Sequence, residues 1–438
     1  MKWRNIFIII LINFFMASFL KPAESQNLLT LDESVEIAIK RSARLHASQE
    51  EKKGKEYKKK VARSEFLPKL STRYNYTRLN ESPHIKYSGF GDMEFGTDDN
   101  YNLSLNLTQP VFAGGALVTS YQQAKLGIEV AKQKIIEVKQ ELILMVKKSY
   151  FEILKSQKIR KVAIQAVEQL EEHLKVSQSF YDVGIIPKND LLEAKVELAQ
   201  VRQDLLRADN EVEIAKSYFN TVLRREINSP VIIEDILKYQ PLTLSLKECI
   251  SRAYEKRPEL KEVDLYVKLA KREITLAKSK YYPDVFLYSS YERLGDDPSV
   301  RGNDFQDAET WKVMTEFKWT FWEWGKTKYE VNRNRTELAK TQDAKTQIKD
   351  NIALDVKKAY LDMKLAEKNI FVAKTAIDQA EENFRMNEER YKEQISTTTD
   401  VLDAQTLLTQ ARSNYYNALS DYNIAKARLE WAIGLTRE

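Results

Sequence analysis

The chain has 438 residues, 43% hydrophobic and 30% charged, with a formal net charge of +5. So small an excess on so charged a chain does not suggest a nucleic-acid binder, which would need a basic stripe, and no nucleic acid is expected as a partner. One cysteine, Cys249, excludes an internal disulfide, and its place in an apolar-periodic helix suits a small core residue.

Residues 1–25 read as a secretory signal. Lys2 and Arg4 precede an apolar run from Ile6 to Leu20, and Ala23 and Ser25 are small residues at signal-peptidase spacing. The run is short for a membrane span of ~20 residues. No cysteine stands near the cleavage point to carry a lipid.

The remainder of the chain contains itself twice. Thr30–Leu45 (TLDESVEIAIKRSARL) recurs as Ser245–Leu260 (SLKECISRAYEKRPEL), and the prolines of FLPKL and YYPDV, Pro68 and Pro283, correspond. PVFAGG around Phe112 recurs as TFWEWG around Trp322, Lys148–Tyr150 as Lys358–Tyr360, and Tyr181–Ala194 as Tyr391–Ala404. The unit is helix, strand, strand, long helix, turn, helix, built twice. The first copy takes residues 26–230, with helices at 32–64, 115–180 and 188–225 and strands at about 68–80 and 100–112. The second takes 231–438, with helices at 246–280, 325–390 and 398–434 and strands at about 283–294 and 310–322.

In chain order, the first strand is rich in tyrosine, with Tyr74 and Tyr76. The second alternates strictly: Tyr101, Leu103, Leu105 and Leu107 point one way, Asn102, Ser104, Asn106 and Thr108 the other. The helix after it carries Ala124, Ile128, Ala131, Ile135, Val138, Leu142 and Met145 on one stripe. Free of proline to about Ser179, it would run on the order of 100 Å at ~1.5 Å per residue, which implies a rod or tube. The next helix keeps an unbroken three–four seam from Leu191 through Ala194, Leu198, Val201 and Leu205 to Val222. The third strand holds Tyr288 and Tyr291; the fourth alternates Trp311, Val313, Thr315, Phe317 and Trp319 with polar residues. The last helix repeats the seam from Val401 through Ala404, Leu408 and Ala411 to Ala432. Such seams mark helices packed side by side, in an antiparallel coiled coil or in something larger.

Period-two strands with aromatics near their ends fit a membrane barrel wall, or a soluble sheet resting on helices. Residues 75–99 and 295–309 are polar and suit outward-facing loops. Four strands cannot close a barrel, and open strand edges are not tolerated in lipid, so a membrane sheet predicts an oligomer. Two copies give eight strands and three give twelve; a lumen continuous with a tube of helices favours three.

The duplication, the two LTLDESVEIAIKRSARL-type segments, the proline opening each first strand, YDVGIIPKNDLLEA and TTTDVLDAQTLLTQAR together resemble the TolC family of outer-membrane efflux channels over nearly all of the mature sequence. The resemblance implies a mainly α chain with a β-barrel part: a homotrimeric α-helical tunnel in the periplasm and a twelve-stranded transmembrane barrel in the outer membrane, four strands per chain. It implies a passive exit duct of a tripartite efflux or type I secretion system. Its partners would be a periplasmic adaptor, an inner-membrane pump and outer-membrane lipid. A soluble periplasmic coiled-coil scaffold or adaptor is the competing reading.

The resemblance also marks two groups of residues. Val183, Gly184 and Ile185 match the family's adaptor-docking tip; Glu393, Gln394 and Ile395 stand in the second copy, without the glycine. Asp400 and Asp403 match the paired aspartates of the family's closed periplasmic entrance, where three-fold symmetry would gather six carboxylates. Such a ring favours cations, and crowding raises some of the pKa values. Acids in a first helical turn also cap the backbone. Asp190 matches the acid of the first tip and Tyr391 the tyrosine that helps latch the closed state, but Ser396 holds the position of the latch arginine. No catalytic residue, cofactor or metal is expected: His46, His84 and His173 lack partners at ligand spacing, and no phosphate loop or nucleophile elbow is present.

Overall fold

The computed structural model describes residues 28–435 except 88 and 90; the expected signal segment lies outside them. The chain divides into two compact units, each drawing on both sequence copies. One holds the chain up to residue 46, residues 136–257 and the chain from 349 on; the other holds residues 47–135 and 258–348. Among the described residues no helix is long and apolar enough to cross a membrane.

Each copy opens on a capped helix. Thr30 and Ser245 accept from the backbone N–H of Glu33 and Glu248, whose carboxylates accept from the cap N–H in return. These boxes start α1 (Leu31–Arg41) and, in the second copy, α5 (Leu246–Lys256). The helices expected to run unbroken over 32–64 and 246–280 are each split. At Ser42 the backbone is extended and the hydroxyl accepts from Leu45 N–H at 3.2 Å, capping α2 (Ala43–Ser64). At Arg257 the cause is Pro258, whose ring disfavours helical backbone in the residue before it; α6 (Pro258–Ser279) starts there. Arg257 is buried, with its guanidinium 4.5 Å from the Trp431 ring centre and Nη1 donating to the Ala432 carbonyl at 3.3 Å.

Long helices dominate. α3 (Ala116–Asp182) and α7 (Lys326–Lys392) have 67 residues each, and α4 (Lys188–Val222) and α8 (Thr398–Ala432) have 35 each. In the first unit their seams close around Tyr150, Ile153, Leu154, Phe219 and Tyr422, all fully buried. The Tyr150 hydroxyl lies 3.0 Å from the Leu29 carbonyl and 2.9 Å from that of Glu234; Tyr422 donates to the Gln240 carbonyl at 2.7 Å. These phenols fasten the segment joining the two copies to the bundle. Cys249 is fully buried here.

The second unit holds the sheet: β1 (Lys69–Arg78), β4 (Asp99–Ala113), β5 (Asp284–Gly295) and β6 (Glu309–Lys318), antiparallel and in that order. Between β1 and β4, where a loop was expected, β2 (His84–Tyr87) and β3 (Gly91–Glu94) form a separate hairpin. The register puts Tyr74 opposite Leu103, Leu105 opposite Tyr291, and Tyr291 opposite Trp311, so the apolar residues share one face. Asn75, Asn102, Glu292 and Lys312 lie on the other. The fourth strand, expected to 322, ends at Lys318, which pairs with Asp284. The next partner along β5 would be Pro283, which has no N–H to offer a ladder. Pro110 likewise coincides with a register shift between β4 and β5.

The turn from β4 to α3 carries the tightest approach. Gly114 has φ +57°, and a Cβ there would sit 2.2 Å from the Ser279 carbonyl oxygen. Gly115 has φ +85° but open space around it. Gly115→Ala is therefore expected to lose roughly 1 kcal/mol to backbone strain. Gly114→Ala adds the clash and is expected to cost on the order of 3 kcal/mol. Melting curves of the two variants beside the parent check this; equal losses would remove the packing argument.

Candidate functional site

The turn between α3 and α4 closes on two backbone bonds. Gly184 N–H donates to the Tyr181 carbonyl at 3.0 Å and Ile185 N–H to that of Phe180 at 2.8 Å. This pair of hydrogen bonds ends a helix when the residue just past the helix turns left-handed, and Gly184 has φ +75°. A Cβ at Gly184 would meet nothing within 4 Å. The glycine therefore serves the backbone and leaves bare surface between Val183 and Ile185, which are 69% and 44% exposed.

The turn between α7 and α8 has the same geometry without the glycine. Gln394 N–H reaches Tyr391 O at 3.0 Å and Ile395 N–H reaches Arg390 O at 2.8 Å. Gln394 takes φ +59°, which costs a side-chain-bearing residue roughly 1 kcal/mol. Ser396, at the arginine position, donates to the Asn387 carbonyl at 3.1 Å. It closes the turn locally.

Asp400 sits at the third position of α8 and makes a capping box with Thr397. Its carboxylate accepts from the Thr397 amide and hydroxyl, each at 2.8 Å, while its own N–H donates to Thr397 Oγ1 at 3.2 Å. The amide first, then the hydroxyl, hold the carboxyl below the usual carboxylate range. Crowding in a three-fold ring was expected to raise some of the values; within one chain the cap lowers that of Asp400. Asp403 is exposed, one turn on, with no hydrogen-bond or ionic partner among the described residues. Asp190 lies in the first turn of α4 and makes no bond to Tyr391. A polar link from α4 to α8 is instead made by Glu193, which accepts from Thr399 Oγ1 at 3.3 Å.

Tyr391 is the centre of a buried polar junction. It is 3% exposed, packed with Phe384, Val401, Ala404 and Leu408. Its hydroxyl lies 2.9 Å from Ser177 Oγ and accepts from Thr398 Oγ1 at 3.2 Å. Ser177 Oγ is 3.4 Å from His173 Nε2, and the imidazole lies against the Tyr391 ring with centres 4.7 Å apart. α3, α7 and α8 are thus joined by one chain of hydroxyls ending on a histidine. Burial pushes His173 down from 6.5 to about 4, against the weaker pull of Glu388 on α7.

Ser177 and Thr398 were not singled out from sequence, and His173 was noted only as a histidine without partners at metal-ligand spacing. The signal was there: Val162, Ala166, Leu170, His173 and Ser177 continue one buried stripe of α3. A polar residue on such a stripe needs a partner. Among the described residues no group of acids, histidines and cysteine is placed to hold a metal.

The family model described as outer membrane efflux protein matches residues 35–218 and 249–435. The Vibrio cholerae outer membrane protein TolC is 22% identical over 86% of this chain and 84% of its own length. The alkaline protease secretion protein AprF of Pseudomonas aeruginosa is 23% identical over 94% of this chain and 85% of its own length. Among solved structures, the Campylobacter jejuni CmeC outer membrane channel shares the fold, with a TM-score of 0.79, 15% identity, and coverage of 92% of this chain and 85% of that one.

The junction gives a pH expectation. A histidine whose folded pKa lies below its unfolded value is carried neutral into the fold. Its contribution is complete above 6.5 and is lost as pH falls toward about 4. The loss is up to about 3 kcal/mol for a shift of this size. His173→Phe should flatten the fall in stability between pH 7 and pH 4.5 relative to the parent. Parallel stability–pH curves for the two proteins would show that His173 titrates as it does in the unfolded chain.

Proposed function

The chain belongs to the outer membrane efflux protein family, and from that premise we propose that it works as a homotrimeric exit duct of a tripartite efflux or type I secretion system. Three copies form a twelve-stranded barrel in the outer membrane and a helical tunnel in the periplasm. Transport is passive, and an inner-membrane pump supplies energy and selects cargo. The exposed Val183–Gly184–Ile185 turn, with its bare glycine backbone, receives a periplasmic adaptor. The relative named for alkaline protease secretion keeps secretion beside efflux as a use of such a duct.

One observation carries the reading: the four-stranded sheet ends on β1 and β6, both with an open edge, while one of its faces is apolar. In lipid every backbone N–H and C=O needs a partner, so β6 of one copy must meet β1 of the next. The helices support it. α4 buries Leu191, Ala194 and Leu198 yet exposes a second stripe of Leu192, Val196, Leu206, Ile214 and Tyr218. α7 exposes Leu354, Leu361, Leu365, Val372 and Met386, again opposite its buried stripe. A helix with two apolar stripes has neighbours on two sides, as in a closed ring of helices.

Asp403, solvated and unpaired, and Asp400, one turn before it, form the cation-attracting ring of the closed entrance. Tyr391 latches that state through Ser177 and Thr398, in place of an arginine. Asp190 borders the same entrance.

The protein is expected to fractionate with outer membranes and to have the mass of a trimer in detergent. A stable monomer or dimer, or recovery in the soluble periplasmic fraction, contradicts the duct and favours the scaffold. In planar bilayers, a trivalent cation on the periplasmic side should block current. Asp403→Ala should weaken that block with little loss of stability. Asp400→Ala should weaken it and also cost ~1 kcal/mol, because the reciprocal half of the capping box is lost. Unchanged block in the double variant would remove both aspartates from the entrance.

A further inference from the structure

The end of the sheet that joins the helices has a surface the duct reading leaves unexplained. Ser64 closes α2 shortly before β1, Ser279 closes α6 shortly before β5, and β6 ends at Lys318 shortly before α7. Cross-bonds tie these segments: Gln109 Nε2 donates to the Phe66 carbonyl at 2.9 Å, and Trp319 Nε1 donates to that of Tyr281 at 3.2 Å.

Here the rings are exposed. Tyr282, Trp319, Phe321, Trp322 and Trp324 are 59%, 52%, 80%, 67% and 84% exposed. Three of the chain's six tryptophans lie in this one stretch. Rings with one apolar body and one polar edge settle at the headgroup level of a bilayer.

The last turns of α2 add charge. Upstream on this helix, Lys52, Lys53 and Lys55 are paired with Glu56, Glu50 and Glu51. Downstream the pattern changes. Lys58, Lys59, Lys60 and Arg63 have no carboxylate partner among the described residues, and Lys60 lies 4.9 Å from the Tyr57 ring centre. Tyr57 and Val61, one turn apart, are 64% and 59% exposed beside them. From Lys58 to the end of α2 is ~9 Å of helix at ~1.5 Å per residue. That depth is comparable with a headgroup layer, about 5–8 Å on each side of the hydrocarbon.

We infer that this end of the sheet is a docking collar for anionic phospholipid headgroups in the leaflet facing the helices, with Lys58, Lys59, Lys60 and Arg63 meeting the phosphates and the ring cluster seated among the acyl-chain ends. The inference rests on the reading of the sheet as an outer-membrane wall. Charge complementarity selects the occupant: Lys58, Lys60 and Arg63 are exposed and Lys59 half-buried, and basic residues without counter-ions beside an apolar rim gain most from a negatively charged amphiphile. Anionic peptidoglycan shares the charge but offers nothing to the rings.

The detergent-solubilised protein, in discs of mixed phosphatidylglycerol and phosphatidylcholine, is analysed for retained lipid by native mass spectrometry. Phosphatidylglycerol should be enriched at least about tenfold, since each basic residue at an anionic surface contributes roughly fivefold. The variant Lys58→Gln/Lys59→Gln/Lys60→Gln/Arg63→Gln should lose most of the enrichment while keeping its melting temperature and conductance. High salt should abolish it in the parent, an arm that needs no variant. Equal retention of the two lipids by the parent, or enrichment unchanged in the variant, overturns the proposal. So does a variant that keeps its lipid preference but no longer sediments with purified peptidoglycan. A protein that is a trimer in outer membranes yet shows no headgroup preference sinks the collar alone; a soluble protein sinks the duct.

Discussion

Everything in the sheet follows from the cost of an unpaired backbone group in lipid. A buried N–H or C=O without a partner costs several kcal/mol, so a strand edge cannot be left open in a bilayer. This chain makes four strands in the order β1, β4, β5, β6 and stops. Its apolar face, with Leu103, Leu105, Trp311 and Phe317, suits lipid, but its two edges do not. On the proposed duct reading, neighbouring copies supply the missing strand partners.

The helices meet the corresponding requirement in water, where apolar stripes must be covered. α4 and α7 each carry two, and only one is covered within the chain. Within the single chain, the sheet leaves two edges open and the bundle leaves apolar stripes exposed. The reasons differ: hydrogen bonding in one case, the hydrophobic effect in the other.

If the helical turns form the proposed entrance, they must both close tightly and be able to open. A fully apolar junction has no reason to release. Here Tyr391 is buried among Phe384, Val401 and Leu408, but its hydroxyl depends on Ser177 and Thr398, and Ser177 leads to His173. Satisfied, such a network fixes one arrangement of three helices; broken, each orphaned group is costly. The left-handed Gln394 adds modest backbone strain one turn away, next to the helix that Asp400 caps.

Much of the fold was legible in the residues themselves. The repeats, the three–four seams and the period-two strands are local patterns, and local geometry turns each into an element with one apolar face. Prolines set boundaries that the apolar periodicity does not mark: Pro258 splits a helix and Pro283 leaves Lys318 as the last paired residue of β6. The site was less legible. Gly184 and the Thr397–Asp400 box are written in adjacent residues, so the turn and the cap could be read. The partnership of His173, Ser177, Tyr391 and Thr398 joins residues more than two hundred positions apart. No periodicity states which polar residue on one stripe will meet which on another. Helix packing fixes that choice, because only the folded bundle brings two such groups within bonding distance and excludes water from both.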